Sequence, residues 1–311
     1  MNILIVGGTG FVGKELIKSL LKDGHHVSVI TRNIAKARTL LGEQVKLLQW
    51  ESIIAANSSL LKTYQIDYII NLAGESIGSG RWTQRRKEEI IKSRTETTRA
   101  MVDFIEKLQV KPKGLINASA VGYYGAHEDE EITEDHGVGQ DFLAKVSNAW
   151  EKEAIRAEKF GVRVVILRIG VVLGNGGALE KMGLPFRFYI GGPIGKGDHW
   201  LSWIHLSDLI KAVQFLLKND TIDGPINTTA PNPVRMRDFY RYLAKAMNKP
   251  YWMYTPALFL RLALGEMSDM VLKGQKVLPK RLLDSGFQFQ FASVESALID
   301  IMKTNIMSKQ R

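Results

Sequence analysis

A doubly wound α/β fold of the Rossmann type, with a smaller C-terminal lobe on the substrate side, is what this 311-residue sequence predicts. Three observations carry the prediction. Ile3–Val6 is an unbroken apolar run leading directly into Gly7, Gly10 and Gly13. Strand-like and helix-like segments then alternate through the first two thirds of the chain, the βαβα order of a parallel sheet covered by helices on both faces. The informative turns at 7–13, 31–33, 72–76 and 119–125 all follow strands, which places them on the rim where such sheets bind ligands.

Each element has its own signal. Glycine at the turn, at the point of contact and at the helix–strand crossing lets a pyrophosphate rest on an open helix N-terminus with no Cβ in its way. Val12, Leu16, Leu20 and Leu21 give the following segment a helical apolar stripe. Val27–Ile30 reads as the second strand and ends in Thr31-Arg32-Asn33. An acid there would accept hydrogen bonds from both ribose hydroxyls and favour NAD, whereas Arg32 can pair with a 2′-phosphate and points to NADP. Strands are read at 45–50, 67–74, 115–119 and 162–173, and helices at 83–108, 140–160, 206–218 and 235–247. Residues 174–200 are glycine-rich and read as an irregular loop able to close over a ligand. This divides the chain into a dinucleotide-binding domain, 1–230, and a smaller C-terminal domain, 231–311, with 174–200 serving the substrate side.

Composition narrows the chemistry. The chain has no cysteine, so disulfides, thiolate nucleophiles and cysteine zinc sites are excluded. His25-His26, the one adjacent histidine pair, has poor ligand spacing, and no metal is expected. No apolar run reaches the length of a membrane span and no leader precedes the first strand, so a cytoplasmic protein without a membrane partner is expected. The net charge is +10, and residues 231–311 hold 13 Lys and Arg against 6 Asp and Glu. No nucleic-acid motif accompanies this excess, which fits attraction of an anionic small molecule better than nucleic acid.

Taken in order, several stretches resemble one family. They are Gly7–Gly13, Asn71-Leu72-Ala73-Gly74-Glu75, Arg81-Trp82, 93–99, Ala118–Gly125, Gly170–Gly174, Trp203-Ile204-His205, Thr229-Ala230-Pro231 and Gly274–Lys280. Together they resemble an atypical extended short-chain dehydrogenase/reductase of the nucleoside-diphosphate-sugar epimerase-like group, the "epimerase family" proteins, including the C-terminal domain of unknown function that group carries. The resemblance implies that the first glycine loop, including Thr9, Phe11 and Val12, binds pyrophosphate, and that Thr31 and Arg32 meet the adenosine 2′-phosphate. It also implies that Leu72, Ala73 and Gly74 line the adenosine and ribose, that Glu89 and Arg94 lie near the cofactor, and that Val172 lies near the nicotinamide. Arg94 also has an independent argument, since a cation on a helix beside a strand end can reach a phosphate. Glu89 is five residues before it, poor spacing for a helical ion pair between the two.

The chain departs from the family at the proton donor. Active members place a Lys four residues after a Tyr, one helical turn along, where the ammonium lowers the phenol pKa. None of the nine tyrosines here has that Lys. In the helix where the pair belongs, anchoring on Glu151 puts Leu143 and Ser147 at the two positions, and anchoring on Phe142 puts Phe142 and Val146 there. Other groups must then supply the chemistry. Ser119, or Ala120 in the alternative register, matches the substrate-contacting position, and Tyr123 and Tyr124 offer phenols in the same loop. Glu75 and His205 are titratable residues near the rim, His205 reading as a structural hydrogen-bonder before a helix, and Lys145 is off register. The expectation is an NADP-dependent oxidoreductase or epimerase acting on a small polar, anionic substrate such as a nucleotide sugar, compatible with a homodimer. The alternative is a non-catalytic NADP(H)-binding sensor.

Overall fold

The computed structural model describes residues 1–51 and 65–309, with side chains described as far as residue 304. Seven parallel strands form the central sheet: β1 (Asn2–Val6), β2 (His26–Thr31), β3 (Lys46–Gln49), β4 (Tyr68–Asn71), β5 (Gly114–Ala120), β6 (Arg163–Ile169) and β7 (Gly224–Thr228). Their spatial order is β7-β6-β5-β4-β1-β2-β3. The sequence direction reverses across β1, so the carboxyl ends of β1, β2, β4 and β5 lie side by side.

Strict alternation along these strands builds two cores. Ile3, Ile5, Val29, Ile70, Ile116, Val165 and Leu167 face one side, packed by α1 (Phe11–Lys22). Leu4, Val6, Ile30, Ile69, Leu115, Val164 and Ile166 face the other, covered by α3 (Gln84–Lys107) through Met101, Val102, Phe104 and Ile105. Between these helices in the chain lies α2 (Ile34–Leu41), capped by the Asn33 side chain, which accepts from Lys36 N at 2.9 Å. After β5 come α4 (Phe142–Ile155), α5 (Gly177–Arg187) and α6 (Leu206–Lys218). Ile210, Val213, Leu216 and Leu217 of α6 join the α1 side.

The C-terminal part adds α7 (Met236–Met247), α8 (Ala257–Leu264) and α9 (Val294–Lys309). A third core joins Phe239 and Leu243 of α7 and Leu298 of α9 to Leu179, Phe186 and Trp203, so the C-terminal helices pack onto the 171–203 region.

Three elements differ from the sequence reading. The apolar run 162–173 is not one strand, because a Cβ on Gly170 would lie 2.7 Å from the Ser202 carbonyl oxygen. The chain turns there, and Val171–Leu173 pairs instead with Trp203–His205. The glycine-rich 174–200 stretch is not wholly irregular, since it holds the eleven residues of α5, with Leu179 and Phe186 buried. β7, beginning Gly224-Pro225, escapes a periodicity reading because it is short and carries proline, which an edge strand tolerates. Among the described residues no helix is long and apolar enough to cross a membrane.

The glycine loop is closed by two backbone crossings. Gly7 has φ +81°, and a Cβ on it would lie 2.7 Å from the Leu72 carbonyl carbon. A Cβ on Gly13 would lie 2.5 Å from Gly7 O, where α1 crosses β1. Gly13→Ala should therefore cost about 1–3 kcal/mol of stability through overpacking against backbone, read as a lower urea midpoint at unchanged slope.

Candidate functional site

Gly10 is the residue before α1, in extended conformation, and no side chain caps the helix. A Cβ on Gly10 would meet Gly7 O at 3.2 Å, with no further contact within 4 Å, so the space in front of the helix N-terminus is open. Three glycines thus do three jobs: Gly7 makes the turn, Gly13 the crossing, and Gly10 leaves the approach clear. The uncapped amides and the positive end of the helix dipole suit a pyrophosphate. The residues present fit a dinucleotide.

At the end of β2, Thr31 Oγ1 accepts from Asn33 N at 3.2 Å and shapes the turn. Arg32 stands exposed beside it, with no hydrogen-bond or ion-pair partner for its guanidinium among the described residues. At the end of β4, Leu72 N donates to Val6 O at 2.9 Å, and Ala73 N to Asn71 Oδ1 at 3.2 Å. Asn71 is itself buried and donates to Asn117 Oδ1 at 2.7 Å and Thr98 Oγ1 at 2.8 Å. Trp150 Nε1 donates to that same Thr98 hydroxyl at 2.9 Å. This network locks the end of β4 and the middle of β5 to α3 and α4.

Arg94 lies across Gly74, where a Cβ would come within 3.0 Å of its Cζ. The guanidinium donates to Ile90 O and Glu75 O, each at 3.0 Å, and sits 5.1 Å from the Trp150 ring centroid. Burial lowers its pKa to about 10, against the attraction of Glu75, so it remains a cation at neutral pH. Glu89 points elsewhere. Its carboxylate takes hydrogen bonds from Arg85 at 3.0 Å and Arg86 at 3.2 Å, and Arg86 also reaches Glu75 at 3.3 Å.

A cavity of about 1300 Å³ opens beside the cradle. Phe11, Arg94, Ser119, Val172, Leu143 and Ser147 all line it. The Phe11 ring packs on the glycines after β6, with its edge 3.1 Å from where a Gly177 Cβ would be. Leu143 and Ser147 share one face of α4 with Glu151, four residues apart each time. Phe142 and Val146, the pair of the other register, line the same cavity, so in either register the wall carries neither a phenol nor an ammonium at the two positions.

The two tyrosines expected to offer phenols do not line this cavity. Tyr124 is 1% exposed, and its hydroxyl donates to Asn227 Oδ1 at 2.6 Å while accepting from Arg168 Nη1 at 2.9 Å. Burial pushes its phenol up to about 12, despite the lowering effect of Arg168. Tyr123 packs its ring under Arg168, 3.5 Å from centroid to Cζ. Ser119 does reach the cavity, and its hydroxyl donates to Glu151 Oε1 at 2.6 Å. Toward the cavity Ser119 therefore presents acceptor lone pairs. Glu151 is held bidentately by Arg168 at 3.0 and 2.9 Å, both residues buried. Burial works against the Arg168 charge, but hydrogen bonds and Coulomb attraction to Glu151 outweigh it, and the guanidinium titrates above its ordinary range.

Glu151, Arg168 and Asn227 are the residues the sequence reading missed. A signal existed: Arg168 interrupts the apolar run Val164–Leu167, and a charge in a buried strand requires a partner. His205 has the structural role expected of it. Its Nδ1 accepts from Ser207 N at 3.2 Å at the start of α6, its ring packs against Phe291 at 4.1 Å between centroids with the planes tilted by 36°, and burial lowers its pKa.

Residues 3–227 match the family described as the NAD dependent epimerase/dehydratase family, and residues 255–301 match a domain of unknown function, DUF1731. The chain belongs to the NAD dependent epimerase/dehydratase family. It is 44% identical over 303 residues to the epimerase family protein YfhF of Bacillus subtilis, covering 97% of this chain and 98% of that protein. An epimerase family protein of Staphylococcus aureus is 40% identical over 304 residues, covering 96% and 98%. Among solved structures, the human epimerase family protein SDR39U1 with NADPH superposes with a TM-score of 0.87 at 31% identity, covering 97% of this chain and 99% of that one. A nucleoside-diphosphate sugar epimerase of Corynebacterium glutamicum has a TM-score of 0.77 at 27% identity, and this chain spans 60% of it. A UDP-galactose 4-epimerase at 17% identity and TM-score 0.76 shares the fold. Membership of this epimerase/dehydratase family makes a nicotinamide dinucleotide the cofactor class to which the cradle belongs.

Within this family member the Glu151–Arg168 pair should be structural. Glu151→Gln leaves the Arg168 charge buried with one neutral partner, and a loss of about 3–5 kcal/mol is expected in chemical unfolding. Tyr124→Phe, which frees Asn227 Oδ1 from its only phenol, should cost about 1–3 kcal/mol.

Proposed function

We propose that the chain is an NADP(H)-dependent oxidoreductase that acts on a small molecule with an apolar body and one alcohol or carbonyl oxygen. The observation that carries this reading is a cavity that joins Phe11 at the head of α1 to Val172, Ser119 and a wall of Trp82, Phe142, Met182 and Met267. When bound, the nicotinamide supplies a hydride donor or acceptor. The protein's own residues bind, orient and exclude water. Arg32 selects the 2′-phosphate, and Gly10 admits the pyrophosphate to the amides of α1. Arg94 contributes positive charge beside Gly74.

Ser119 accepts a hydrogen bond from a substrate hydroxyl, because its own proton is already directed to Glu151. The buried Arg168 donates to both Glu151 oxygens, which fixes the carboxylate in place and therefore keeps that direction. Ser147, on the same wall, offers a hydroxyl to the substrate oxygen in the carbonyl state. The aromatic and methionine lining supports an apolar body rather than the anionic substrate expected from charge or the nucleotide sugar that the family resemblance suggested. The cations at the cavity edge are largely engaged, with Lys181 donating to Gly78 O at 2.8 Å and Lys273 paired with Asp269 at 2.9 Å. Preference for NADP over NAD also draws support from the human relative solved with NADPH.

Leu143 and Ser147 favour a second reading, a protein that binds NADP(H) without turnover. A screen of carbonyl compounds for NADPH oxidation separates the two.

Three outcomes test the primary reading. Binding titrations should give NADPH about ten- to a hundredfold higher affinity than NADH, with Arg32→Ala abolishing most of the difference, as expected for one charge-assisted contact. Gly10→Val should abolish binding of both cofactors while circular dichroism stays unchanged. Once a substrate is found, Ser119→Ala should lower kcat/KM by about three- to thirtyfold, the loss of one orienting hydrogen bond, with NADPH affinity unchanged.

A further inference from the structure

Two segments meet at the mouth of the cavity and expose large apolar side chains that the fold leaves uncovered. Trp252 N donates to Gly191 O at 3.0 Å, and Trp252 Nε1 to Tyr189 O at 2.8 Å. Gly195 N donates to Thr255 O, and Thr255 N to Pro193 O, both at 2.9 Å. Residues 188–195 and 252–255 are thus one surface unit, and α8 follows it directly. Phe188, Tyr189, Trp252 and Tyr254 are all more than half exposed. On α8 no residue is buried, and Leu258, Phe259 and Leu262 are 65–69% exposed. These three stand at spacings of one and three on one side of the helix.

The surface is also held in place. A two-turn helix has little stability of its own, yet Arg81 anchors the end of α8, its guanidinium donating to Ala263 O at 2.8 Å and also to Leu262 O. Tyr189 adopts φ +62°, a left-handed conformation uncommon for a residue with a Cβ, while its ring remains exposed under Lys249 Nζ at 3.7 Å. Ile190 is both exposed and part of the cavity lining, so the apolar surface runs into the cavity mouth.

Charge identifies what covers it. Residues 187–197 and 249–265 contain Arg187, Lys196, Lys249 and Arg261 and no Asp or Glu. A second copy seated on the same face would bring cations against cations with no acid in either segment to pair them, because a twofold interface meets itself. An anionic bilayer matches both features. Trp, Tyr, Phe and Leu enter the headgroup region, and Lys and Arg stay at the lipid phosphates.

We propose that the face formed by 187–197, 249–256 and α8 docks this protein peripherally on anionic phospholipid membranes, turning the cavity mouth toward lipid. The docking does not depend on the catalytic reading. It lies on the bilayer rather than spanning it, in keeping with the absence of a long apolar helix among the described residues.

The test is co-sedimentation of the full chain with vesicles. Phosphatidylcholine vesicles containing about 30% phosphatidylglycerol should carry the protein down, pure phosphatidylcholine should carry at least about tenfold less, and high salt should release it. Leu258→Ser/Phe259→Ser/Leu262→Ser should abolish partitioning with circular dichroism unchanged. Lys249→Glu/Arg261→Glu, which leaves the apolar residues intact, should weaken it by at least about tenfold. The proposal is overturned if the parent chain ignores anionic vesicles or if both variants bind as it does. It is also overturned if sedimentation velocity shows a dimer that the serine variant dissociates and that does not bind vesicles.

Discussion

The buried pair Arg168–Glu151 is the interaction on which the site depends. Arg168 reaches from β6 to α4 through Glu151, to the loop after β5 through Tyr124, and to Glu134 O at 3.3 Å. Tyr124 passes the connection on to Asn227 in β7. One guanidinium therefore ties four elements around the carboxyl ends of the sheet. Two opposite charges removed from water are tolerable only when nearly every donor is used, and this requirement determines the orientation of Ser119. Its proton has one good acceptor, and its lone pairs are left for the cavity.

A second constraint is steric and acts at the opposite side of the cavity. Gly7, Gly13 and Leu72 bring β1, α1 and the end of β4 within contact distances that exclude any side chain. The Asn71–Asn117–Thr98–Trp150 hydrogen bonds then brace the end of β4 and the middle of β5 against α3 and α4. The glycine cradle and the Ser119 wall of the cavity are consequently parts of one rim. Phe11 joins them, since its ring lies between the first turn of α1 and the glycines at 174–177.

Polarity is distributed unevenly across the molecule. The cradle end offers amides and guanidinium groups, suited to phosphate, while the opposite end opens through Ile190 onto aromatic and leucine side chains with no carboxylate among them. The basic excess in residues 231–311, read from the sequence as attraction for an anionic substrate, is in part a property of this outer surface. Arg261 and Lys249 stand among exposed apolar residues rather than inside the cavity.

The sequence by itself determined the family, the glycine turn and every strand of the sheet except β7. Alternating apolar strands and three glycines at 7, 10 and 13 are local patterns, and each follows from the spacing of residues along a single element. The missing phenol and ammonium were equally legible, because a four-residue spacing on one helix is also local. The fate of Tyr124 was not, since whether a phenol faces a cavity or a buried arginine is settled by Arg168 and Asn227, 44 and 103 residues away. The break at Gly170 likewise depends on the carbonyl of Ser202, and the exposure of α8 on the lack, among the described residues, of any element packed over it. Only the tertiary structure decided these points, because hydrogen bonds, clashes and burial between distant segments leave no periodicity in the chain.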